Sequence, residues 1–354
     1  MIAKILIITP GGSRQGGILE VSRQVEEILS NEPSIQCRIL KIPSNRILRT
    51  GLRVTRLQDI WVNLMACIGY HPMFMHVNLF ERLCLSRLAR MGSFVWAHGI
   101  EVWGNFGRVR TLQLPGAKCV LSVSRFTTQK ILHNHPEAKV ETINLTIAHR
   151  KTPEEVCDKP SVFEIITVGR LAQNEQYKGH DLVIEALRKL SKRGIRIPYH
   201  IVGTGDDMPR LKSLARNLGV EDLVNFHGYV LDSQIGDLYN RSSVFVMPSY
   251  VIRRENDIWG GEGFGLVYLE AALHALPVIA CNEGGQTDCV IHEQTGLLLS
   301  PDADEIAQAI QNFHENPERC RQMGQTARQY ALENHSPDRF RKNLLEILWH
   351  TLQE

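Results

Sequence analysis

Short apolar runs alternate with segments of helical periodicity from one end of the chain to the other. The apolar runs predict strands such as Phe74–Val77, Phe94–Ala97, Tyr199–Val202 and Gly296–Leu299. The segments between such runs, as in Ile18–Leu29, have helical spacing of apolar residues. Apolar strands between amphipathic helices are typical of parallel sheets that are covered on both faces. Because the alternation occurs twice, we predict an α/β protein with two doubly wound, Rossmann-like domains.

The polar stretch His149–Pro160 is the best linker between the two predicted domains. It separates an N-terminal domain, residues 1–150, from a C-terminal domain, residues 160–336, and the chain ends in a further helical segment, residues 337–354. Doubly wound sheets bind ligands outside the carboxyl ends of their strands. We therefore expect a site in a central cleft between the domains, built by residues that directly follow strands.

Charge is distributed unevenly although the formal net charge is only +2. Residues 1–160 contain 21 lysines and arginines against 12 aspartates and glutamates, whereas residues 161–354 contain 19 against 26. The small net charge argues against a nucleic-acid partner. The eight cysteines form no Cys-x-x-Cys pair, which favours reduced thiols in a cytoplasmic protein over a disulfide framework or a zinc site.

The strongest chemical signal is the glycine-rich segment from Trp259 to Ala272. A helix is predicted to begin near Phe264–Leu266, and its free N–H groups and positive dipole end suit a diphosphate or a sugar hydroxyl. Glu262 lies before this helix and Glu270 within it, and a carboxylate can accept two vicinal hydroxyls of a ribose or a hexose. The alternative is that Glu262 caps the helix and Glu270 is a surface charge.

Two cations follow the first predicted strand of the second domain. Arg170 stands at the strand end and Lys178 at the start of the next predicted helix. A guanidinium and an ammonium in these positions can hold a diphosphate and neutralise the charge that develops as it leaves. We expect them to replace a divalent metal, so that no metal and no cofactor is needed. The alternative is a pair of solvated surface charges.

Two weaker signals lie in the first domain. A glycine-rich turn with Gly12 and Gly17 follows the first predicted strand; it suits close approach of a ligand or forms only a tight turn, and it lacks the dinucleotide fingerprint Gly-x-Gly-x-x-Gly. His98 ends a predicted strand, where it can hydrogen-bond a sugar hydroxyl or serve a structural role. Glu101 and Trp103 follow as candidates for acceptor binding, with Trp103 equally suited to the core.

Four arginines, Arg46, Arg49, Arg53 and Arg56, recur at helical spacing and fall on one face. Apolar residues lie between and beside them. Such a basic amphipathic face can dock on anionic lipid or on a phosphorylated acceptor, or it can be a solvated helix surface.

Taken together, these segments resemble the retaining glycosyltransferases of the GT-B fold, specifically glycosyltransferase family 4. The likeness spans nearly the whole chain and is most specific in its second half. The segments that carry it are Gly12–Gly17, His98–Gly99, Gly169–Leu171, Tyr177–Asp181, Ile201–Gly205, Phe226–Val230, Glu262–Glu270, Pro277–Ala280 and Gly284–Gly285. The sequence departs from the family where Ala275 and Leu145 stand in place of usual glycines.

The resemblance implies that the second domain binds a nucleotide diphosphate sugar, that the first binds the acceptor, and that residues 337–354 pack back on the first domain. It implies that Arg170 and Lys178 stabilise the leaving diphosphate, that Glu262 binds the hexose and Glu270 the ribose, and that His98 positions the transferred sugar. Further donor contacts are expected at Gly12, Gly17, Gly203, Val230, Gly263, Phe264, Gly265 and Leu266.

By this resemblance the protein moves a hexosyl group from a UDP- or GDP-sugar to an acceptor hydroxyl with retention, in the synthesis of a cell-surface polysaccharide or glycolipid. The expected partners are the nucleotide sugar and a glycan or lipid-linked acceptor. A nucleotide-sugar epimerase of the same fold and a non-catalytic nucleotide-sugar-binding protein are the alternatives. We expect a cytoplasmic protein, with a peripheral position on the inner face of the plasma membrane if the arginine face meets anionic lipid.

Overall fold

The structure is a computed structural model, and it describes residues 2–11, 17–43, 53–83, 90–104, 114–147, 153, 162–255 and 258–354. The chain divides into two compact units. Unit 1 comprises Met1–Leu145, Glu255–Trp259 and Phe340–Glu354, and unit 2 comprises Thr146–Arg254 and Gly260–Arg339. The expected linker, His149–Pro160, lies outside the described residues except for Pro153.

Unit 1 is built on a parallel six-stranded sheet in the order β2-β1-β3-β4-β5-β6. The strands in the middle of this sheet are almost wholly buried, because helices pack on the sheet and apolar residues fill both of its faces. The strands are β1 (Ala3–Gly11), β2 (Ile35–Pro43), β3 (His71–Phe74), β4 (Phe94–Ala97), β5 (Cys119–Ser122) and β6 (Val140–Thr142).

The helices of unit 1 alternate with these strands. They are α1 (Gly17–Ser30), α2 (Arg53–Cys67), α3 (Val77–Leu83), α4 (Ile100–Trp103), a 3₁₀ turn (Leu114–Gly116) and α5 (Arg125–Asn134). The end of the chain belongs to the same unit: Phe340 packs on Trp96 with ring centroids 6.3 Å apart, and Arg341 pairs with Glu32 at 2.7 Å. The last helix is therefore anchored on unit 1 by both apolar and ionic contacts.

Unit 2 contains a second parallel six-stranded sheet, in the order β14-β13-β10-β7-β8-β9. The chain starts in the middle of this sheet at β7, builds outward through β8 and β9, and returns to add β10 on the other side of β7. The strand order therefore reverses between β7 and β10, and that is where doubly wound sheets bind ligands. The strands are β7 (Ile165–Val168), β8 (Tyr199–Val202), β9 (Val224–Gly228), β10 (Val244–Val246), β13 (Val278–Cys281) and β14 (Gly296–Leu299).

Helices cover both faces of this second sheet and bury its apolar core. They are a 3₁₀ segment (Gln173–Lys178), α6 (His180–Lys192), α7 (Met208–Asn217), α8 (Asp232–Arg241), α9 (Leu266–Leu273), a 3₁₀ turn (Gly285–Asp288), α10 (Ala303–Glu315) and α11 (Pro317–Asn334). The chain then continues into α12 (Pro337–Gln353), which belongs to unit 1 from Phe340 onward. Two short strands, β11 (Ile252–Arg254) and β12 (Ile258–Gly260), lie between β10 and α9. The predicted fold class, two Rossmann-like α/β domains, is confirmed.

Candidate functional site

Glycines line the carboxyl ends of β7, β8 and β9. The N–H of Gly169 donates to Val202 at 2.9 Å, and the N–H of Gly203 donates to Gly228 at 2.8 Å, so these three strand ends are tied together. A Cβ on Gly203 would come within 1.9 Å of the Gly169 carbonyl oxygen, so no larger residue fits there without moving the backbone. Val230, two residues beyond β9, is half-buried beside the exposed Tyr229. Gly203 and Val230 thus both lie at the edge of the sheet where a ligand is expected.

Lys178 lies at the point where the strand order reverses. Gly169 and Met247 directly follow β7 and β10. A Cβ on Gly169 would lie 3.5 Å from Cδ of Lys178 and 3.7 Å from Sδ of Met247. Nζ of Lys178 donates to Oε2 of Glu262 at 2.9 Å. Burial by itself lowers the pKa of this lysine, but Glu262, Tyr177 and Glu175 together outweigh burial and the pKa lies above its ordinary value. Lys178 is therefore a fixed cation at neutral pH.

Arg170 is the second cation of this region and is held differently. Its guanidinium is 77% exposed and pairs with Oε1 of Glu175, a buried residue of the 3₁₀ segment. Oε2 of Glu175 is buried and accepts no hydrogen bond in the described part of the chain. Arg170 thus keeps an exposed charged end, while its ion pair ties it to the wall that also carries Lys178. The alternative of two solvated surface charges fails for Lys178, which is only 9% exposed.

Helix α9 begins at Leu266, within the range that the sequence predicts. Its N-cap is Gly265, whose φ of 97° is in the left-handed region that favours glycine, and no side chain caps the helix. Behind this end, the N–H of Gly285 donates to the carbonyl of Glu262 at 2.7 Å and fixes the peptide that precedes Gly263. The first N–H groups of α9 therefore have no side-chain partner from the N-cap, as an anion-binding helix end requires.

The two glutamates of this segment are both drawn inward. Glu262 is half-buried and paired with Lys178, so it is not the cap of α9. Glu270 is buried, and the hydroxyl of Tyr239 donates to its Oε2 at 3.4 Å, so it is not a surface charge. Phe264 is buried against His335, with ring centroids 5.8 Å apart, which leaves its backbone as the group that a ligand can meet.

His98 follows β4 in unit 1, and its hydrogen bonds define its tautomer. Nε2 lies 2.8 Å from the carbonyl oxygen of Met75, and because a carbonyl can only accept, Nε2 carries the proton. Burial lowers the pKa of His98, against the opposing effect of Glu101. The ring is therefore neutral at pH 7 and presents Nδ1 as an acceptor. Met75 and the next residue, His76, follow β3, and the rings of His76 and His98 stack with centroids 5.9 Å apart.

The two residues that are candidates for acceptor binding, Glu101 and Trp103, lie in different environments. Glu101 is half-buried and accepts a hydrogen bond from the backbone N–H of His98 at 2.5 Å, so it fixes the residue that carries the imidazole. Trp103 is only 1% exposed, and its indole N–H donates to Thr127 at 3.0 Å. Of the two roles considered for Trp103, acceptor binding or the core, the structure supports the second, because its ring belongs to the core of unit 1.

The glycine turn and the arginine face are described only in part. Gly12, Arg46 and Arg49 lie outside the described residues. Gly17 is exposed at the start of α1, where an added Cβ would meet no atom within 4 Å. Arg53 and Arg56 belong to α2, and their side chains are outside the description. None of the described helices is both long and apolar enough to cross a membrane.

The carboxylate pair that follows β14 is engaged within the protein. Asp302 and Asp304 form an Asp-x-Asp pair after β14, but Asp302 caps α10 by accepting from the N–H groups of Asp304 and Glu305, and Asp304 pairs with Lys189 at 2.8 Å. Across the described ranges, no group of three or more His, Cys, Asp or Glu side chains is placed to hold a metal ion.

Sequence reasoning missed Glu175 and His76, which contact the predicted site residues. Glu175 stands in the polar run Gln173–Tyr177, where its one signal is a carboxylate five residues after Arg170. His76 directly follows a buried strand, as His98 does, but the predicted strand Phe74–Val77 placed it inside the sheet. Correct assignment of that strand end would have pointed to both histidines.

Solved structures resemble the whole chain. Anabaena HepE in complex with UDP and glucose has a TM-score of 0.76 and 17% identity over 98% of this chain and 100% of its own. The lipopolysaccharide outer core galactosyltransferase WaaB in its apo form has a TM-score of 0.76 and 18% identity over 98% of this chain and 99% of its own. At this level of identity the likeness establishes the fold, and with the two sheets described above it defines a glycosyltransferase-type GT-B architecture.

A family model, glycosyl transferases group 1, matches residues 154–330. An uncharacterised glycosyltransferase from Haemophilus influenzae is 30% identical over 260 residues, which cover 71% of this chain and 68% of that protein. The chain therefore belongs to the glycosyl transferases group 1 family.

Other relatives match over shorter stretches. A GDP-mannose-dependent α-(1-6)-phosphatidylinositol monomannoside mannosyltransferase from Mycobacterium tuberculosis is 31% identical over 183 residues, 51% of this chain and 47% of that protein. The human α-1,3/1,6-mannosyltransferase ALG2 is 28% identical over 252 residues, 64% of this chain and 57% of that protein. The chain thus spans about half the length of the first of these relatives.

Proposed function

We propose that this protein transfers a hexosyl group from a nucleotide diphosphate sugar to an acceptor hydroxyl with retention at the anomeric carbon. The observation that carries the proposal is the Lys178–Glu262 pair at the strand-order reversal of unit 2, next to the uncapped start of α9. A fixed ammonium, a carboxylate and free N–H groups together match a sugar bound through a diphosphate.

Unit 2 is proposed to hold the donor. Lys178 and Arg170 would bind the diphosphate and stabilise the charge that develops on it as the glycosidic bond breaks. Glu262 would accept hexose hydroxyls, and Glu270 the hydroxyls of the ribose. The backbone from Gly263 to Leu266 and the strand-end residues Gly203 and Val230 would complete the donor site, together with Gly12 and Gly17 of unit 1.

Unit 1 is proposed to bind the acceptor and to position the transferred sugar through His98. Its neutral ring offers Nδ1 as an acceptor for a sugar hydroxyl, because Nε2 is engaged with Met75. With its proton on Nε2, His98 does not supply an acid to the leaving group. We infer a same-face attack in which the leaving phosphate takes the acceptor proton, so that no additional base and no metal is needed.

The donor is proposed to be a UDP- or GDP-sugar and the acceptor a glycan or lipid-linked glycan. Support comes from the UDP of the HepE complex and from GDP-mannose and the phosphatidylinositol monomannoside in the name of the mycobacterial relative. We propose a role in polysaccharide or glycolipid synthesis, in the cytoplasm or at the inner face of the plasma membrane.

The decisive experiment is a donor screen with and without acceptor. UDP-, GDP- and ADP-sugars are first ranked by the rise in melting temperature, since a ligand that binds only the native state stabilises it. The best donor is then incubated with lipid-linked glycan acceptors, and free nucleoside diphosphate and the anomeric configuration of the product are measured. Donor turnover without acceptor, or binding without any release of nucleotide, would replace transfer by epimerisation or by simple binding.

A further inference from the structure

The loop between β8 and α7, residues 203–207, packs against the chain that follows β7. The N–H of Leu171 donates to the carbonyl of Thr204 at 2.9 Å, and the N–H of Asp207 donates to the carbonyl of Leu171 at 2.8 Å. A Cβ on Gly205 would come within 2.0 Å of that same carbonyl oxygen, so the two backbones are in direct contact. The loop therefore supports the segment in which both cations of the candidate site stand.

Asp207 directly precedes α7, a position at which an aspartate commonly caps a helix. Its carboxylate does not cap α7. Its two oxygens instead accept from Nε and Nη2 of Arg210, each at 2.7 Å, and Oδ1 also accepts from Nε2 of Gln176 at 3.0 Å. Asp207 is only 2% exposed. It is therefore a buried carboxylate, and one of its bonds leaves α7 for the 3₁₀ segment Gln173–Lys178.

The bond between Asp207 and Gln176 involves an ionised carboxylate. Burial raises the pKa of Asp207, but Arg210, Gln176 and His180 together outweigh burial and the pKa lies below its ordinary value. Because a carboxylate can only accept, the amide of Gln176 is oriented with its nitrogen toward Asp207. A hydrogen bond of this kind is about twice as strong as one between neutral groups.

The 3₁₀ segment Gln173–Lys178 is held by bonds from the β8–α7 loop. Glu175 has non-helical backbone angles, with φ of −116° and ψ of 25°, so the segment consists of two short turns joined at a kink. Oδ1 of Asp206 accepts from the N–H of Gln173 at 2.8 Å and fixes the first turn. Asp206 is exposed, whereas Asp207 is buried. Asp207 therefore makes the bond that is better shielded from water, and it makes this bond beyond the kink.

Gln176 connects this buried carboxylate to the two cations. It lies two residues before Lys178 and directly after Glu175, which pairs with Arg170. Lys178 in turn donates to Glu262 at 2.9 Å. A displacement of Gln176 would therefore move the backbone on which both ion pairs depend.

We propose that Asp207 is a positioning residue of the donor site, which acts through Gln176 to hold Arg170 and Lys178 where they meet a diphosphate. This role rests on the proposed function and deepens it, since Asp207 acts from outside the site on the groups that bind the donor. Cations stabilise a developing charge best when they are already in place. A loosened segment should therefore slow the chemical step more than it weakens donor binding.

A purely structural role for Asp207 makes a different prediction. Arg210 also pairs with Asp181 of α6 at 3.3 Å, so in that case Asp207 and Arg210 serve only to clamp α7 to α6. The bond from Gln176 would then be incidental. Its removal would change neither the turnover of the enzyme nor the mobility of the 3₁₀ segment.

The first test is Gln176→Met, which removes the amide at nearly constant volume and leaves Asp207 paired with Arg210. The assay is nucleotide release with the best donor from the screen of UDP-, GDP- and ADP-sugars. We expect kcat to fall about tenfold, while the KM for the donor changes by less than about twofold. The control is Gln308→Met, since Gln308 donates to Asn312 at 3.0 Å on the exposed side of α10. An unchanged kcat in Gln176→Met would overturn the proposal.

The second test exchanges the donor and the acceptor of the bond. Gln176→Glu alone sets two carboxylates against each other, and we expect kcat to fall by more than about tenfold. The double variant Gln176→Glu/Asp207→Asn keeps the net charge of the chain, and the new asparagine amide can donate to the new glutamate. We expect it to recover at least about fivefold in kcat over Gln176→Glu. Losses that simply multiply would contradict a direct link between the two side chains.

The third test contains no nucleotide sugar. Hydrogen exchange, followed by mass spectrometry, is compared for residues 171–179 and for residues 208–217 of α7. We expect Gln176→Met to accelerate exchange about tenfold in the first peptide and to leave the second unchanged. No acceleration in residues 171–179, or an equal acceleration in both peptides, would overturn the proposal.

The tests separate a failure of this proposal from a failure of the proposed function. If the natural chain releases no nucleotide from any donor, the transfer reaction fails, and hydrogen exchange still decides whether Asp207 and Gln176 hold the segment of Lys178. If the natural chain is active and Gln176→Met is equally active, only the positioning role fails. Circular dichroism and thermal melting establish that each variant is folded.

Discussion

The two units share a doubly wound architecture but equip the carboxyl edges of their sheets with opposite chemistry. Unit 2 places paired charges there: Lys178 with Glu262, and Arg170 with Glu175. Unit 1 places the rings of His76 and His98 there, with His98 held as a single tautomer by a backbone carbonyl. One fold thus supports an edge of paired charges and an edge with a pair of histidines within a single chain.

Under the proposed function, the difference corresponds to two tasks. A departing diphosphate accumulates negative charge, and fixed cations stabilise that charge most where water is excluded. A sugar hydroxyl carries no net charge, so its recognition depends on the direction of hydrogen bonds and not on field strength. Substitutions in unit 2 should therefore cost more than substitutions in unit 1, and they should do so for a different reason.

The largest effect is predicted for Lys178→Ala. Loss of the ammonium removes the buried cation at the strand-order reversal and leaves Glu262 without its partner. We expect kcat to fall by about 10²–10³, or roughly 3–4 kcal/mol of barrier, in a nucleotide-release assay. Lys189→Ala is the control, since Lys189 pairs with Asp304 on the exposed side of α6. Full turnover by the Lys178 variant would refute the charged edge as the catalytic one.

A smaller effect is predicted for His98, and two substitutions separate its nitrogens. Asparagine places a polar atom near the position of Nδ1, and glutamine places one near Nε2. Because Nδ1 is the free acceptor, His98→Gln should lose about tenfold in kcat/KM, equivalent to one neutral hydrogen bond, and His98→Asn should lose less. The reverse order would mean that the Met75 contact, and not Nδ1, is what the reaction requires.

A third prediction concerns pH and stability. Burial lowers the pKa of His180, beneath the charged edge of unit 2, to about 3. In the unfolded chain the imidazole of His180 is protonated below about pH 6.5, whereas in the native state it stays neutral down to about pH 3. The free energy of unfolding is therefore highest above pH 6.5 and falls as the pH drops toward 3. Between pH 7 and pH 5 we expect a loss of about 2 kcal/mol from this residue. Denaturant unfolding of His180→Asn at both pH values should show a correspondingly smaller loss, and an equal loss would contradict the burial of a neutral ring.

The smallest effect is predicted for Ala275→Gly. Ala275 has a φ of 52°, and the N–H groups of Ala275 and Leu276 donate to Ala272 and Ala271 in the pattern that closes a helix with a left-handed residue. Glycine would relieve about 1 kcal/mol of backbone strain in the native state. It would cost a similar free energy, because the unfolded chain gains entropy and a buried methyl group is lost. We expect a change in the free energy of unfolding within about 1 kcal/mol, with no change in activity. A larger loss would show that the methyl group packs more tightly than its backbone suggests.

The sheet of unit 2 was largely predictable because short apolar strands and glycine-flanked charged residues are explicit in its sequence. The predicted strands Tyr199–Val202 and Gly296–Leu299 match the observed bounds. Strand β3 was misplaced, because Pro72 argues against a strand. In the structure Pro72 lies one residue ahead of the point where β3 begins to pair with β4, at Met73 and Phe94, so this central strand accommodates it.

Helix α11 was not predicted, since its buried side consists of small or flexible residues instead of a leucine stripe. Gly324 shows why: a Cβ there would come within 2.1 Å of the Ala275 carbonyl oxygen. The ion pair of Arg170 with Glu175 and the burial of Trp103 depend on tertiary contacts, which no spacing along the chain reveals.

The ion pair of Lys178 with Glu262 affects both the binding of ligands and their release. Lys178 and Glu262 neutralise each other, so the pair attracts small anions less than a lone lysine would. Under the proposed function, an intact donor would give both ions a new partner, since its phosphate would bind Lys178 and its sugar hydroxyls would bind Glu262. The nucleoside diphosphate product would bind Lys178 but leave Glu262 without a partner. The same two side chains that bind the intact donor would therefore also favour release of the nucleoside diphosphate after transfer.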